Sequence, residues 1–271
     1  MSSYFSELQI VMQEPFMLRA FAAGIMVALL TSMVGTFVTL RKESFIADAV
    51  AHASLAGIAI GLVATGMPLL MALMVAIFMG IAITYIRHEG GFATDAAIGI
   101  LFPVLFAFGI FLISSQSGYR PELNSYLFGS LLAITLEEVF WAVATLVLVV
   151  FAFAYYYKPL LYSTFDPEAA KVAGVRVRQI DYIFSILTAI SVVIAVKIAG
   201  IVLVTALFVI PATSAKLLAR NFSQMLPIAI IHNLLAVSLG LLLSLNHPPG
   251  PVIVLVSAGI FLLTLLVRLS D

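Results

Sequence analysis

Apolar residues along this chain do not alternate with polar ones. They run in long blocks broken by short polar punctuation. A block of roughly 20 apolar residues has the length of a helix crossing the hydrocarbon core of a bilayer. Nine such blocks are predicted, at 16–40, 44–64, 67–86, 94–114, 136–157, 180–197, 199–217, 225–245 and 250–268. Only the residues around Lys197 to Gly200 divide the sixth from the seventh, so eight spans is the alternative count. An apolar piece at 123–134, containing NSYLFGSLLAI, is too short to span and is predicted at the outer face or partly re-entrant. Lipid supplies no partner for backbone N–H and C=O groups, so the blocks must be helices. The expected fold is an all-α polytopic membrane bundle forming one transmembrane domain over 1–271.

Composition supports this class and narrows the rest. Of the 271 residues 63% are hydrophobic and 10% charged, where a soluble domain carries about 25% charged. Thirteen basic and thirteen acidic residues cancel, leaving no electrostatic case for binding nucleic acid. The absence of cysteine removes disulfides and thiolate ligands, so a metal site must use imidazole, carboxylate, hydroxyl or backbone oxygen. Residues 1–15 hold Glu7 and Glu14 but no Lys or Arg, unlike the basic start of a cleaved signal. No Gly-Lys pair occurs, so a Walker A loop is excluded and the chain does not bind ATP by that device.

The basic residues predict an orientation. With nine spans and the N-terminus outside, the inner loops hold Arg41, Lys42, Arg87, Lys158, Lys171, Arg176, Arg178, Lys216, Arg220 and Arg268, leaving only Arg19, Arg120 and Lys197 of the thirteen. Cytoplasmic loops carry such an excess, so the C-terminus is expected in the cytoplasm. The longest polar segment, Lys158 to Asp181, then faces the cytoplasm and contains a punctuated short helix. Asp166 suits the N-cap, Pro167 the first helical position and Glu168 the positive end of the helix dipole. Gly174 suits the left-handed residue that ends a helix, giving an expected helix over 167–173. Thr135 and Glu138 likewise form a capping box ahead of the fifth span.

Within the second span, SFIADAVAHASLAG carries Asp48 and His52 four residues apart, and therefore on one helical face. Helical rise places them about 9 and 15 Å beyond Lys42, inside the membrane. Ionisable groups there are costly and mark functional sites. Carboxylate with imidazole suits a divalent transition ion such as zinc or manganese, though two ligands are not a full shell. The structural alternative is an Asp–His hydrogen bond that staples helices. Ala49, Ala53, Gly57 and Gly61 form a small-residue ladder that admits a close helical neighbour. His232, beside Asn233 in the eighth span, is a further candidate ligand or a helix-bridging group, whereas His88 and His247 are expected to be solvated in loops. Thr205, Thr213 and Ser214 around Pro211 are expected to pair carbonyls freed by the proline, or to line a polar path.

These strings resemble the permease subunit of the bacterial zinc/manganese ABC importers over nearly the whole chain. The resemblance rests on RKESFIADAVAHASLAG, LNSYLFGSLLAIT, FDPEAAKVAGV, VIPATSAKLLAR and PPGPVIVL. The string ATSA departs from the alanine-rich version expected in the seventh span. The resemblance implies that Asp48 and His52 coordinate metal in the translocation path. It also implies that the helix bearing Asp166, Glu168, Ala170 and Gly174 docks on a separate ATPase subunit. The chain would then be no enzyme, but an inner-membrane component of an ATP-driven importer, with no permanently bound cofactor and with ATP on the partner. It would work as a permease homodimer and receive zinc or manganese from an extracytoplasmic binding protein. The alternatives are a secondary cation transporter using Asp48 and His52 as a relay, and a scaffold recruiting a protein through residues 163–175.

Overall fold

The computed structural model describes residues 14–114, 129, 131–244 and 247–270. The elements are α1 (Pro15–Leu40), α2 (Ile46–Ile60), continued by a π-helical turn (Gly61–Thr65), α3 (Pro68–Gly90) and α4 (Thr94–Ser114). A 3-10 turn at Leu131–Ala133 precedes α5 (Leu136–Tyr155), α6 (Tyr157–Phe165) and α7 (Pro167–Val172). Then come α8 (Val177–Ala199), α9 (Ile201–Leu218), α10 (Phe222–Leu243) and α11 (Pro249–Ser270). Among the described residues nine helices are long and apolar enough to cross a membrane. Gly200, at φ +82°, breaks the chain between α8 and α9, which settles the count of nine over eight. Most of the 123–134 segment lies outside the described residues. Its Gly129 adopts φ +76°, and a Cβ there would lie 2.4 Å from the Ala199 carbonyl carbon.

The helix ends follow local chemistry. Asp166 Oδ1 accepts from the Ala169 N–H at 2.9 Å, with Pro167 at the first position. Gly174, at φ +83°, ends α7 with Val175 N–H donating to the Ala170 carbonyl, a Schellman closure. The Thr135–Glu138 capping box forms both of its reciprocal bonds, at 2.9 and 3.2 Å. The same 6→1 closure ends α1, where the Glu43 N–H reaches the Val38 carbonyl and Lys42, not glycine, takes the left-handed conformation.

The helices form two compact units whose boundaries fall within α1, α5 and α8. One comprises residues 1–36, 124–146 and 194–271; in it α9, α10 and α11 pack on one another. Gly35 brings α1 against α9 so closely that a Cβ would lie 2.2 Å from the Phe208 carbonyl oxygen. The other comprises 37–123 and 147–193, with α2 packed along α3 and α4. There the small-residue ladder acts as expected, since Cβ atoms on Gly57 and Gly61 would meet the α3 backbone at Ala72 and Pro68. Gly109 of α4 approaches Ala56 similarly. Phe37, Phe153 and Phe184 add an aromatic cluster, with the Phe37 and Phe153 ring centroids 5.2 Å apart.

This packing predicts a contrast between two glycines. Gly57→Val places a side chain where Ala72 Cα is 2.5 Å from the first added carbon, and overpacking of this kind destabilises by about 1–3 kcal/mol. Gly99→Ala, with no neighbour within 4 Å, is expected to leave stability unchanged. Thermal unfolding of purified protein in detergent checks both, and an undisturbed Gly57→Val contradicts the close α2–α3 crossing.

Candidate functional site

Asp48 and His52 sit one turn apart on α2. His52 Nδ1 lies 2.9 Å from the Asp48 backbone oxygen and 3.5 Å from its Oδ1. A carbonyl can only accept, so this contact places the hydrogen on Nδ1 and leaves the Nε2 lone pair available to a cation. The ring is clamped by Phe102 and Phe106 of α4, both edge-to-face, at centroid distances of 5.3 and 5.7 Å. The only sequence signal for these two phenylalanines is their i, i+4 spacing around Pro103. The Asp48 side chain is 45% exposed and that of His52 25%, because the neighbours of α2 cover its alanine and glycine face instead. Among the described residues no three His, Asp or Glu side chains gather as a metal shell.

His232 lies in the other unit and forms a helix-bridging contact. Its Nε2 is 3.0 Å from Ser257 Oγ of α11, and it is 4% exposed. The adjacent Asn233 is the more informative residue. Pro211 lacks the N–H that would pair the Leu207 carbonyl, and Asn233 Nδ2 lies 3.1 Å from that oxygen. Thr213, expected to serve the freed carbonyl, instead bonds the Val209 oxygen at 2.8 Å, and Thr205 bonds that of Val202. Asn233 Nδ2 also lies within 3.2 Å of Ala28 O, Thr31 Oγ1 and Ser32 Oγ, tying α10 to α1 and α9.

The densest polar structure of the second unit lies where α1, α3, α6 and α8 end or begin. Asp181 Oδ1 accepts from Arg41 Nη1 at 2.7 Å, and Oδ2 accepts from Arg87 Nη2 at 2.7 Å with His88 Nε2 at 2.9 Å. Arg87 also pairs with Glu43. Arg41 is 6% exposed at its side chain and lies over the Phe184 ring at 4.5 Å. His88, expected to be solvated, is thus a member of this network. Burial pushes the Glu43 carboxyl above the usual carboxylate range, while Arg87 and Arg41 pull it back.

Beyond the network, α7 projects as a small capped helix. Ala170 is buried, while Val172 is 91% exposed. Glu168 pairs with Lys171 on the exposed surface at 2.8 Å. A shallow recess of about 240 Å³ beside it is lined by Tyr162, Phe165, Asp166, Ala169, Ala170 and Ala173.

Among the described residues, nine helices long and apolar enough to cross a membrane define a multi-pass membrane protein. The ABC 3 transport family matches residues 13–268, and the chain belongs to that family. It is 31% identical over 251 residues to the high-affinity zinc uptake system membrane protein ZnuB of Haemophilus influenzae, covering 92% of this chain and 96% of that one. It is 32% identical over 250 residues to the manganese transport system membrane protein MntC of Halalkalibacterium halodurans, covering 92% and 86%. Its fold matches a chain of PsaBC from Streptococcus pneumoniae, solved in complex with Fab, with a TM-score of 0.83 at 29% identity, covering 97% and 94%.

The ionic network yields a pH-dependent prediction. Arg87→Leu leaves Glu43 buried without its guanidinium, a loss of about 3–5 kcal/mol for a broken buried pair. The fold raises the Glu43 carboxyl, so it favours the protonated form. The resulting destabilisation is absent below the unfolded carboxylate range and grows as pH rises through the folded value. The unfolding-temperature deficit of Arg87→Leu is therefore expected to be largest near about pH 7–8 and to shrink toward about pH 4–5. A deficit independent of pH contradicts the assignment.

Proposed function

We propose that this chain is the membrane permease of an ATP-driven importer for divalent transition metal ions, zinc or manganese. The observation that carries this reading is the Asp48–His52 pair. An imidazole held through Nδ1, with Nε2 left to bind, stands one turn from a carboxylate that is half-open to its surroundings. Two ligands of mixed hardness hold such an ion weakly, with water or groups from outside the described residues completing the shell. Weak holding suits a transporter, which must release what it binds. The zinc and manganese uptake roles in the names of the relatives support this choice of cargo. His232, whose Nε2 is engaged by Ser257, is left out of the proposed ligand set.

In this reading α7 docks on a cytoplasmic ATPase subunit. Its N-cap, its Schellman end and the exposed Val172 present a rigid, apolar-tipped knob. The N-terminus lies outside and the C-terminus in the cytoplasm, as the distribution of basic residues favours. An extracytoplasmic binding protein delivers the ion to the outer face of a permease homodimer, and ATP binding on the partner rocks the helices between outward- and inward-open states.

Two measurements test this. Asp48→Ala and His52→Ala are each expected to lower ATP-dependent zinc or manganese uptake into proteoliposomes by about a hundredfold, in the range seen when a residue supporting a metal site is lost. Uptake unaffected by either change removes the pair from the path. For docking, Glu168→Lys reverses the charge at the start of α7 and is expected to weaken copurification with the ATPase subunit. Undiminished association and transport refute docking at α7.

A further inference from the structure

We propose that Arg41 is the joint through which movement of α7 reaches the membrane helices of its unit, a reading that rests on α7 being the docking helix. Arg41 engages all three of its nitrogens. Nε donates to Thr164 Oγ1 at 3.0 Å, Nη2 to Ser163 Oγ at 2.8 Å and Nη1 to Asp181 Oδ1 at 2.7 Å. Ser163 and Thr164 form the last turn of α6, directly ahead of the Asp166 cap. Each hydroxyl donates its own hydrogen to the Leu160 carbonyl, at 3.1 and 2.6 Å, so each offers Arg41 a lone pair that nothing else uses. On its other arm Arg41 meets Asp181, which carries the connection to Arg87 and His88 at the end of α3 and to the start of α8.

Three features favour a joint over a cluster that merely stabilises. The guanidinium fork is planar and rigid, so it transmits displacement in a way that a flexible ammonium does not. Arg41 and Glu43 flank Lys42, a non-glycine residue held at φ +60°, and the turn sends one side chain to α6 and α8 and the other to Arg87. Strained backbone of this kind persists where its surroundings over-determine it. A cavity of about 290 Å³ lined by Pro167 and Lys171 of α7, together with Arg41, Arg87 and Asp181, leaves α7 short of close packing onto the network. The hydroxyl–guanidinium contacts therefore supply the stiff route from the base of α7.

The test uses the full transporter of permease, ATPase subunit and binding protein in liposomes, with manganese uptake and ATP hydrolysis read on the same vesicles. Ser163→Ala combined with Thr164→Val removes both acceptors and leaves the Arg41–Asp181 ion pair in place. The expected result is a folded permease that still associates with the ATPase, with a lowered unfolding temperature because two buried guanidinium nitrogens lose their acceptors, and with ions moved per ATP reduced about fivefold or more. Arg41→Lys, which keeps charge and loses the fork, is expected to uncouple likewise, while exchanging the hydroxyls (Ser163→Thr with Thr164→Ser) restores the ratio. A native ratio of ions per ATP in the double variant overturns the joint, as does a parallel fall of uptake and hydrolysis at constant ratio. Failure of the docking reading is separate, since it shows as undiminished association in Glu168→Lys.

Discussion

Lipid gives an apolar side chain no reason to prefer a neighbouring helix over an acyl chain, so specificity in this protein must come from close backbone approach and from polar groups with nowhere else to go. Both devices are visible in each unit. Gly35 admits the Phe208 backbone to α1 and Gly57 admits Ala72 to α2. Asn233 gathers α1 and α9 onto α10 by taking up the carbonyl that Pro211 leaves unpaired. Asp181 gathers α1, α3 and α8 through two guanidiniums and an imidazole. Many large apolar side chains face outward, such as Phe151 and Leu255, each 71% exposed. Those residues give the protein its solubility in the bilayer and none of its geometry.

The same economy explains why the candidate metal pair is so sparse. α2 spends its small residues on contact with α3 and α4, which leaves Asp48 and His52 on the face that remains open. A complete shell of buried ligands would bind an ion tightly and would fix the helices around it. A pair held in register by one Nδ1–carbonyl contact and two phenyl rings can instead engage an ion as surrounding groups move. The charged network stands apart from the pair at the end of the span, where buried ions find several partners each. The candidate metal pair and the proposed joint thus occupy different parts of one unit.

What was legible in the sequence follows from how local each interaction is. The ends of α7 were readable because Asp166, Pro167 and Gly174 act within a few residues of themselves, and the Thr135–Glu138 box for the same reason. The family, the nine spans and the shared face of Asp48 and His52 were readable from run length, spacing and motif. Which face of α2 would be covered was not, because that depends on where Ala72 and Ala56 meet Gly57 and Gly109 in space. The network was hidden more completely. Arg41 and Asp181 read singly as inner-loop charges, and nothing local to either predicts that they pair. Asn233 stands beside the candidate His232 in the sequence, but its service to Leu207 requires knowing that α9 and α10 are neighbours.

In the proposed function, ion movement through this chain is driven by ATP on a partner rather than by a gradient. The most direct measurement is radiolabelled zinc or manganese uptake by proteoliposomes holding the permease, its ATPase subunit and the binding protein, with and without ATP and with the proton gradient collapsed. ATP-driven import requires ATP for uptake and survives collapse of the gradient. Uptake that proceeds without ATP and disappears with the gradient would contradict it.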